Sequence, residues 1–224
     1  MSVDIEFLKS IPYFSGLDIA ELEAIRQLVF ERTAQRDEFI LDEGEPGEVL
    51  YFVVSGAVKE FKTSAEGKEQ ILRIIRPGES FNDVPVFDGG PNVASATAIG
   101  PVVLYGISKT DIGIILNHHP RVAANVAKVL AERVRHLASL VEDLSFRNVI
   151  GRVAKLLLEY AENRTETERP RLTQQEMAAM VGTAREMVGR SIRVLEEKGA
   201  IRVDRHRIVL TDKEALRETA GELL

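Results

Sequence analysis

The chain contains no cysteine, which excludes disulfides, thiolate zinc sites and iron–sulfur clusters held by cysteine. No apolar run approaches the ~20 residues that a membrane span requires. The opening segment, MSVDIEFLKS, is acidic as well as apolar, unlike a secretory signal. Catalytic signatures are missing as well: there is no nucleophile elbow, HExxH, cysteine–histidine arrangement or phosphate-cradling glycine loop. The glycines of Phe87-Asp88-Gly89-Gly90-Pro91-Asn92 form a turn without a following helix or lysine, so they are not a P-loop. These absences lead to the expectation of a cytoplasmic protein with no membrane partner, no metal held by cysteine and no enzymatic activity.

The net charge of −6 argues against a nucleic-acid partner until it is resolved along the chain. Residues 1–144 hold 14 Lys+Arg against 22 Asp+Glu, a net of −8, whereas residues 145–224 hold 15 against 13, a net of +2. Between Arg185 and Arg207 seven basic residues face four acidic ones, a net of +3. A polyanion responds to the local field, and here it is positive.

Three periodicities succeed one another. A helix is expected at Asp18–Val29, and residues 30–119 read as short strands separated by turns. Val49–Val54, Val58–Lys62 and Gln70–Ile75 are rich in β-formers, with turns at Ser55-Gly56 and Ala65-Glu66-Gly67 and a stop at Pro77-Gly78. VASATAIGPVVLYGIS adds two more strands, so an antiparallel sandwich or barrel is expected. From Arg121, Ala123, Ala127, Leu130, Val134, Leu137, Val141 and Leu144 recur at alternating spacings of 4 and 3. That is the repeat of a coiled-coil seam, which favours a parallel homodimer, although a core-facing amphipathic helix of a monomer would carry the same positions.

The last 80 residues are expected to be helical and to end in a hairpin. Thr173 and Glu176 have the spacing of a capping box, Gly182 breaks the helix, a second helix runs from about Ala184 to Lys198, and Gly199 ends it. AIRVDRHRIVLT then supplies two strands around Asp204-Arg205-His206. Two short helices followed by a hairpin fit a winged helix-turn-helix. At about 100° per residue, Val188, Ile192 and Leu195 share one face of the second helix and Glu186, Arg190, Arg193 and Glu197 the opposite one, with Arg185 and Gly189 between. Arginine bonds guanine O6 and N7, glutamate accepts from cytosine N4, and glycine, at a cost of about 1 kcal/mol against alanine, lets the backbone approach phosphates. A plain surface ion pair between Glu186 and Arg190 is the simpler alternative.

With these segments in view, the chain resembles the CRP/FNR family of bacterial transcription regulators over nearly its whole length. YFVVSGAVKEFKTSAEGKEQILRIIRPGE is similar to the family's cyclic-nucleotide-binding β-roll, DLSFRNVIGRVAKLLLEYA to its hinge and first DNA-binding helix, and LTQQEMAAMVGTAREMVGRSIRVLEEKGAI to its helix-turn-helix. The resemblance implies an α+β chain: an antiparallel β-roll sensor (1–119), a long dimerisation helix (120–144) and a winged helix-turn-helix (145–224). It further implies double-stranded DNA as partner at palindromic TGTGA-like sites, read by Arg185, Glu186 and Arg190 with Thr173, Gly189 and Arg193 beside them. Activation through RNA polymerase, by way of the ENRTETERPR loop, is implied too; repression by site occlusion and a protein partner for the C-terminal helices are the alternatives. Ala184 and Met187 stand where the catabolite activator has polar residues.

The pocket departs from the pattern. Cyclic-AMP-binding members hold the ribose with a G-E-L segment and the phosphate with an Arg-Ser pair. Here Asn82 and Asp83 stand for Gly and Glu, Asn92 and Val93 for Arg-Ser, and Leu137 and Ala138 for the hydroxyl residues that meet the purine. A cyclic phosphate without a charged partner is costly to bury, so cyclic AMP is not the expected effector. Among the four histidines, His118, His119, His136 and His206, the one on the long helix, His136, is the candidate axial ligand of a heme. A hydrophobic effector, a pocket filled by its own side chains and regulation by abundance alone are equally open.

Overall fold

A computed structural model of the chain describes residues 3–162, 173–204 and 207–221. Two compact units are formed, Met1–Val134 and Arg135–Leu224.

The first unit opens with helix α1 (Ile5–Ser10), whose N-terminus is closed by the Asp4 carboxylate accepting from the Glu6 amide. A 3-10 turn at Pro12–Phe14 leads to α2 (Ile19–Arg26), which begins in a reciprocal capping box between Asp18 and Glu21. The helix expected to reach Val29 ends at Arg26, because Val29 is already committed to strand β1 (Val29–Ala34), paired with the chain some 70 residues later. The remaining strands are β2 (Phe39–Leu41), β3 (Val49–Ser55), β4 (Val58–Thr63), β5 (Glu69–Ile75), β6 (Ser80–Phe81), β7 (Ser95–Ala98) and β8 (Val102–Ser108). They form two antiparallel four-stranded sheets, ordered β1-β8-β3-β6 and β2-β7-β4-β5. The expected strands are all present. Residues 30–119 also contain two helices that were not expected, α3 (Asp83–Asp88) and α4 (Lys109–His118).

The unbroken apolar run of β3 has a structural reason. Alternate strand residues face opposite ways, and here both faces are covered. Tyr51 and Val53 point between the sheets with Ile40, Val58, Ile75, Phe81, Ala98 and Leu104. Leu50 and Phe52 point outward, under a layer of helices that contributes Leu8, Phe14, Leu22, Ile25, Ile112 and Ile115. That layer is completed by the first turns of α5 (Pro120–Phe146), whose Val122 and Val126 join the same core. Asn125 anchors the helix by donating to the carbonyls of Tyr13 and Ser15.

The seam expected on α5 is thus only half of its apolar surface. Val122, Val126 and Val129 pack inward on the roll, while Val134, Leu137, Val141 and Leu144 are 66%, 46%, 63% and 43% exposed. Four large apolar side chains at heptad spacing therefore stand in water on an isolated chain.

In the second unit α6 (Val149–Glu162) packs on α7 (Gln174–Val181), α8 (Arg185–Glu197) and a C-terminal helix, α9 (Lys213–Ala220). Strands β9 (Ile201–Asp204) and β10 (Arg207–Leu210) pair antiparallel as the expected hairpin. The hairpin does not end the chain: Asp212 caps α9 by accepting from the Ala215 amide, and Leu216 and Ala220 enter the core with Val153, Leu158, Val188 and Leu195. No described helix is long and apolar enough to cross a membrane.

A buried phenol marks the junction of the roll and its helical layer. Tyr13 is 1% exposed and its hydroxyl donates to Asp83 Oδ1. Burial, and then the negative Asp83, hold this phenol far above its ordinary value. The proton is therefore bound more tightly in the folded state, so the stabilisation is complete below the unfolded phenol's pKa of about 10 and is lost as pH rises above it. Tyr13→Phe is expected to cost about 1–3 kcal/mol at neutral pH, since a buried carboxylate loses a donor. Urea unfolding of both proteins across pH 7–11 is expected to show their difference narrowing above about pH 10; a constant difference would contradict this account.

Candidate nucleic-acid interface and effector site

Helix α7 starts as its sequence demands. The Thr173 hydroxyl accepts from the Glu176 amide at 3.1 Å, and the Glu176 carboxylate accepts from the Thr173 amide at 2.6 Å. The accepting role leaves the Thr173 hydroxyl proton available to another acceptor. Gly182 ends the helix with φ +67°, a left-handed conformation that glycine takes without strain. The turn to α8 is closed by the Thr183 amide donating to Ala178.

Val188, Ser191, Ile192 and Leu195 are the buried residues of α8. Their burial fixes the helix's rotation, and Arg185, Glu186, Arg190, Arg193 and Glu197 are exposed accordingly. No ion pair between Glu186 and Arg190 is among those of the described residues, so the simple surface-pair alternative is not realised, and the side chains are free to meet a partner. Ala184, at the N-cap, has no side chain able to close the first turn, which leaves amide donors facing outward. A Cβ on Gly189 would lie 3.5 Å from Gln174 Oε1, an ordinary contact. Packing therefore does not require a glycine at this position.

Beside the helix, exposed Lys198 and Arg202 extend the basic surface. The hairpin is held down by Thr211, whose hydroxyl donates to the Gly199 carbonyl at 2.6 Å and whose amide donates to Ala200. Its tip, Arg205-His206, and residues 163–171 of the loop expected to meet RNA polymerase lie outside the described residues.

One cluster here is not visible in local sequence patterns. Asp143, near the end of α5, accepts from Arg147 Nε at 2.7 Å and from Lys155 Nζ on α6 at 2.5 Å. Lys155 also donates to Ser139 at 3.1 Å. These half-buried groups tie the last turns of α5 to the first helix of the reading unit.

The six residues expected to line an effector pocket divide into two groups. Asn82, Asp83 and Asn92 are buried, whereas Val93, Leu137 and Ala138 are exposed on the single chain. Asn82 has φ +64°, a backbone that favours glycine and that asparagine tolerates best among the others. The replacement of the family's glycine is thus conformationally conservative, and the Asn82 amide is used to donate to the Val49 carbonyl.

Asp83 is committed elsewhere. One carboxylate oxygen accepts from Tyr13, and the other is paired with Arg133 Nη1 of α5, whose Nη2 donates to both the carbonyl and the hydroxyl of Ser80 at 2.7 Å. Burial alone would lower the pKa of Arg133, but Asp83, with Tyr13 and Glu60, reverses the effect and leaves the guanidinium above its ordinary value. Asn92 donates through Nδ2 to the Asp42 carbonyl, and its buried Oδ1 has no partner. A lone acceptor is the wrong polarity for a phosphodiester. Around it space is short: a Cβ on Gly47 would meet Pro85 Cβ at 2.1 Å and Asn92 Oδ1 at 3.1 Å. At these positions the carboxylate of Asp83 is bonded to Tyr13 and Arg133, and neither Asn92 nor Val93 supplies a cation in place of the Arg-Ser pair that holds the phosphate of cyclic AMP.

The candidate heme ligand, His136, stands on α5 with no hydrogen-bond partner among the described residues. His118 Nδ1 lies 2.8 Å from the Ile114 carbonyl, His119 Nδ1 lies 3.1 Å from Glu21, His136 is exposed, and His206 lies outside the described residues. No group of three or more His, Asp or Glu able to hold a metal occurs among the described residues.

Comparison with known proteins agrees with this architecture. Residues 31–119 match the cyclic nucleotide-binding domain and residues 151–219 the Crp-like helix-turn-helix domain. A CRP-like cAMP-activated global transcriptional regulator of Mycobacterium tuberculosis is 31% identical over 221 residues, covering 96% of this chain and 99% of that protein. The cyclic AMP receptor protein of Thermus thermophilus is 31% identical over 213 residues, covering 95% and 98%. Among solved structures, a CRP/FNR-family transcriptional regulator of Thermus thermophilus superposes with a TM-score of 0.71 at 28% identity, over 86% of this chain and 98% of that one. With an antiparallel roll, a long helix and a winged helix-turn-helix in the same order as relatives of matching length, the chain belongs to the CRP/FNR family of transcription regulators.

Proposed function

We propose that the protein is a homodimeric, sequence-specific regulator that reads a palindrome with one α8 helix per half-site, the two helices about one DNA turn apart. Residues 1–119 serve as the sensor, 120–144 as the dimerisation helix and 145–224 as the reader. One observation carries this reading: Arg185, Glu186 and Arg190 are exposed and unpaired, Glu186 and Arg190 on the face of α8 opposite its buried side and Arg185 on its flank near the N-terminus. Arg185 and Arg190 bond guanines, while Glu186 accepts from a cytosine and orients Arg190. Thr173 and Arg193 contact phosphates, and Gly189 lets the backbone approach them.

The resemblance supplies the remaining particulars: a TGTGA-like half-site, recruitment of RNA polymerase as an activator, and repression where a site overlaps a promoter. The exposed stripe Val134, Leu137, Val141 and Leu144 supports pairing through α5, since parallel helices bury such a seam against its own copy. Cyclic AMP, the effector in the names of two relatives, is not assigned to this chain, because Asn92 and Val93 offer no charged partner for its phosphate.

Arg185→Ala or Arg190→Ala is expected to cost about 1–3 kcal/mol of binding and to relax the preference at one base pair, measured by random-sequence selection followed by competition binding. Equal weakening on every sequence would remove the base-reading assignment. Binding itself is expected to fall steeply with salt; a salt-independent complex would favour a protein partner for these helices. Gly189→Ala provides a finer test. The variant is expected to gain roughly 1 kcal/mol of helix stability yet to bind DNA more weakly, and unimpaired binding would show that no phosphate approaches the backbone there. Finally, Val134→Asp with Val141→Asp is expected to give monomers in sedimentation equilibrium and to abolish palindrome binding.

A further inference from the structure

The last turns of α5 present different chemistry on two sides. The exposed apolar stripe passes through Leu137, Val141 and Leu144. At about 100° per residue, Ser139 and Asp143 lie together roughly 150° around the helix from that stripe. Both bind a single cation of α6: the Lys155 ammonium donates to Asp143 Oδ2 at 2.5 Å and to Ser139 Oγ at 3.1 Å. The other Asp143 oxygen accepts from Arg147 Nε at 2.7 Å. Glu159, on α6 itself, is a more distant anion, 3.9 Å from the same ammonium. The side chains of Lys155 and Asp143 are only 15% and 14% exposed. All of these residues belong to the Arg135–Leu224 unit.

The bend that the contact spans is short. Arg147 and Asn148 alone separate α5 from α6, and the Asn148 side chain accepts from the Gly151 amide at 2.8 Å, closing the start of α6. Beyond the bend the reading unit is one packed body, in which Val153 and Leu157 of α6 share a core with Val188, Ile192 and Leu195 of α8. From this arrangement we infer that Lys155 is a positioning residue that sets the spacing between half-sites. By holding α6 against the back of α5 through Asp143 and Ser139, it fixes how far each α8 stands from the two-fold axis on which the stripe lies. This inference rests on the homodimer and DNA-binding readings above and concerns only which spacing is accepted. One base pair more or less shifts the second half-site by about 3.4 Å and turns it by about 35° around the duplex. Two α8 helices held at one separation therefore fit one spacing. A lysine suits the position because a compact charge on a flexible stem can seat against a carboxylate and a hydroxyl together. Such a half-buried pair adds little net stability over apolar packing, so its contribution is one defined angle at the bend.

The test uses the full chain. A half-site is first selected from random DNA with wild type, and a second library then varies the number of base pairs between two inverted copies of it. Wild type is expected to enrich one spacing and to bind it on the order of fiftyfold more tightly than spacings one base pair longer or shorter, a discrimination of the size of one mismatch. Lys155→Met keeps the stem and removes the ammonium. This variant is expected to remain dimeric with the same half-site preference, while its discrimination between spacings falls to about fivefold, the low end of mismatch effects. Asp143→Asn removes the contact from the α5 side and is expected to broaden the spacing in the same way; it carries the test where Lys155→Met does not fold. Lys155→Arg, which keeps a cation within reach of Asp143, is expected to retain one spacing. A purely structural role would lower the melting temperature and weaken every spacing by the same factor. That result would overturn the inference, as would a folded variant that still enriches one spacing, or wild type that accepts several spacings equally. Wild type that enriches no palindrome at all would instead overturn the DNA-binding reading.

Discussion

The rotation of α8 about its own axis is the constraint on which the reading unit depends. Three apolar side chains, Val188, Ile192 and Leu195, reach the core shared with α6, α7 and α9. Burying them is worth on the order of 2 kcal/mol each, far more than any surface contact the helix makes. Once they are in place, Arg185, Glu186 and Arg190 have no route to the interior, and their charges are presented to solvent as a set. The same core fixes the helix's ends, with Gly182 supplying the left-handed turn before it and Ala200 burying the chain just after it. Recognition chemistry is thus positioned by apolar packing, and the polar residues themselves make almost no structural contact.

The first unit solves a different problem, because its polar residues are inside it. Asp83, Asn82, Asn92, Ser80 and Asn125 are all buried, and each uses a hydrogen bond to join segments far apart in the chain. Asn125 holds α5 to the turn after α1, Asn92 holds the β7 approach to Asp42, and Asp83 binds α3 to α5. Apolar contacts drive the roll together but leave a helix on its surface free to slide or rotate by small steps. Directional bonds to a buried carboxylate and to buried carbonyls do not allow that freedom. The polar cluster sits where α5 leaves the roll, the point at which a small rotation matters most.

Much of this organisation was legible in the sequence, for identifiable reasons. The strong signals were periodic or stereochemical: the 4-3 spacing along α5, the Thr173–Glu176 box, the glycines at 182 and 199, and β-rich runs between obvious turns. The elements that escaped notice are short or locally contradictory. Helix α4 contains Ile112, Ile114 and Ile115, which read as a strand; it is helical because Ser108 caps it through the Asp111 amide and because two of the three isoleucines fill the core. Helix α3 has six residues and a proline, too few to show a period. Helix α9 did carry a usable signal, Asp212 before it and Gly221 after it, in the places where caps belong. The Asp83–Arg133 pair had none. Fifty residues separate its members, and an arginine beside a heptad seam looks like any solvated flank.

Charge distribution explains how an acidic chain serves as a partner for a polyanion. The surplus of acid lies in residues 1–144, while the segment from Arg185 to Arg207 carries a net of +3. At physiological salt the field of an exposed charge decays over about 8 Å. A phosphate near α8 therefore responds chiefly to the charges of that helix and its neighbours, Arg185, Arg190, Arg193 and Arg202 against Glu186 and Glu197. The surplus acid still has a consequence, because a duplex that approaches residues 1–144 meets a net charge of −8. Non-specific contact is weakened more than docking through the reading helix, and the ratio of specific to non-specific binding, which decides occupancy in a genome, rises without a single additional base contact.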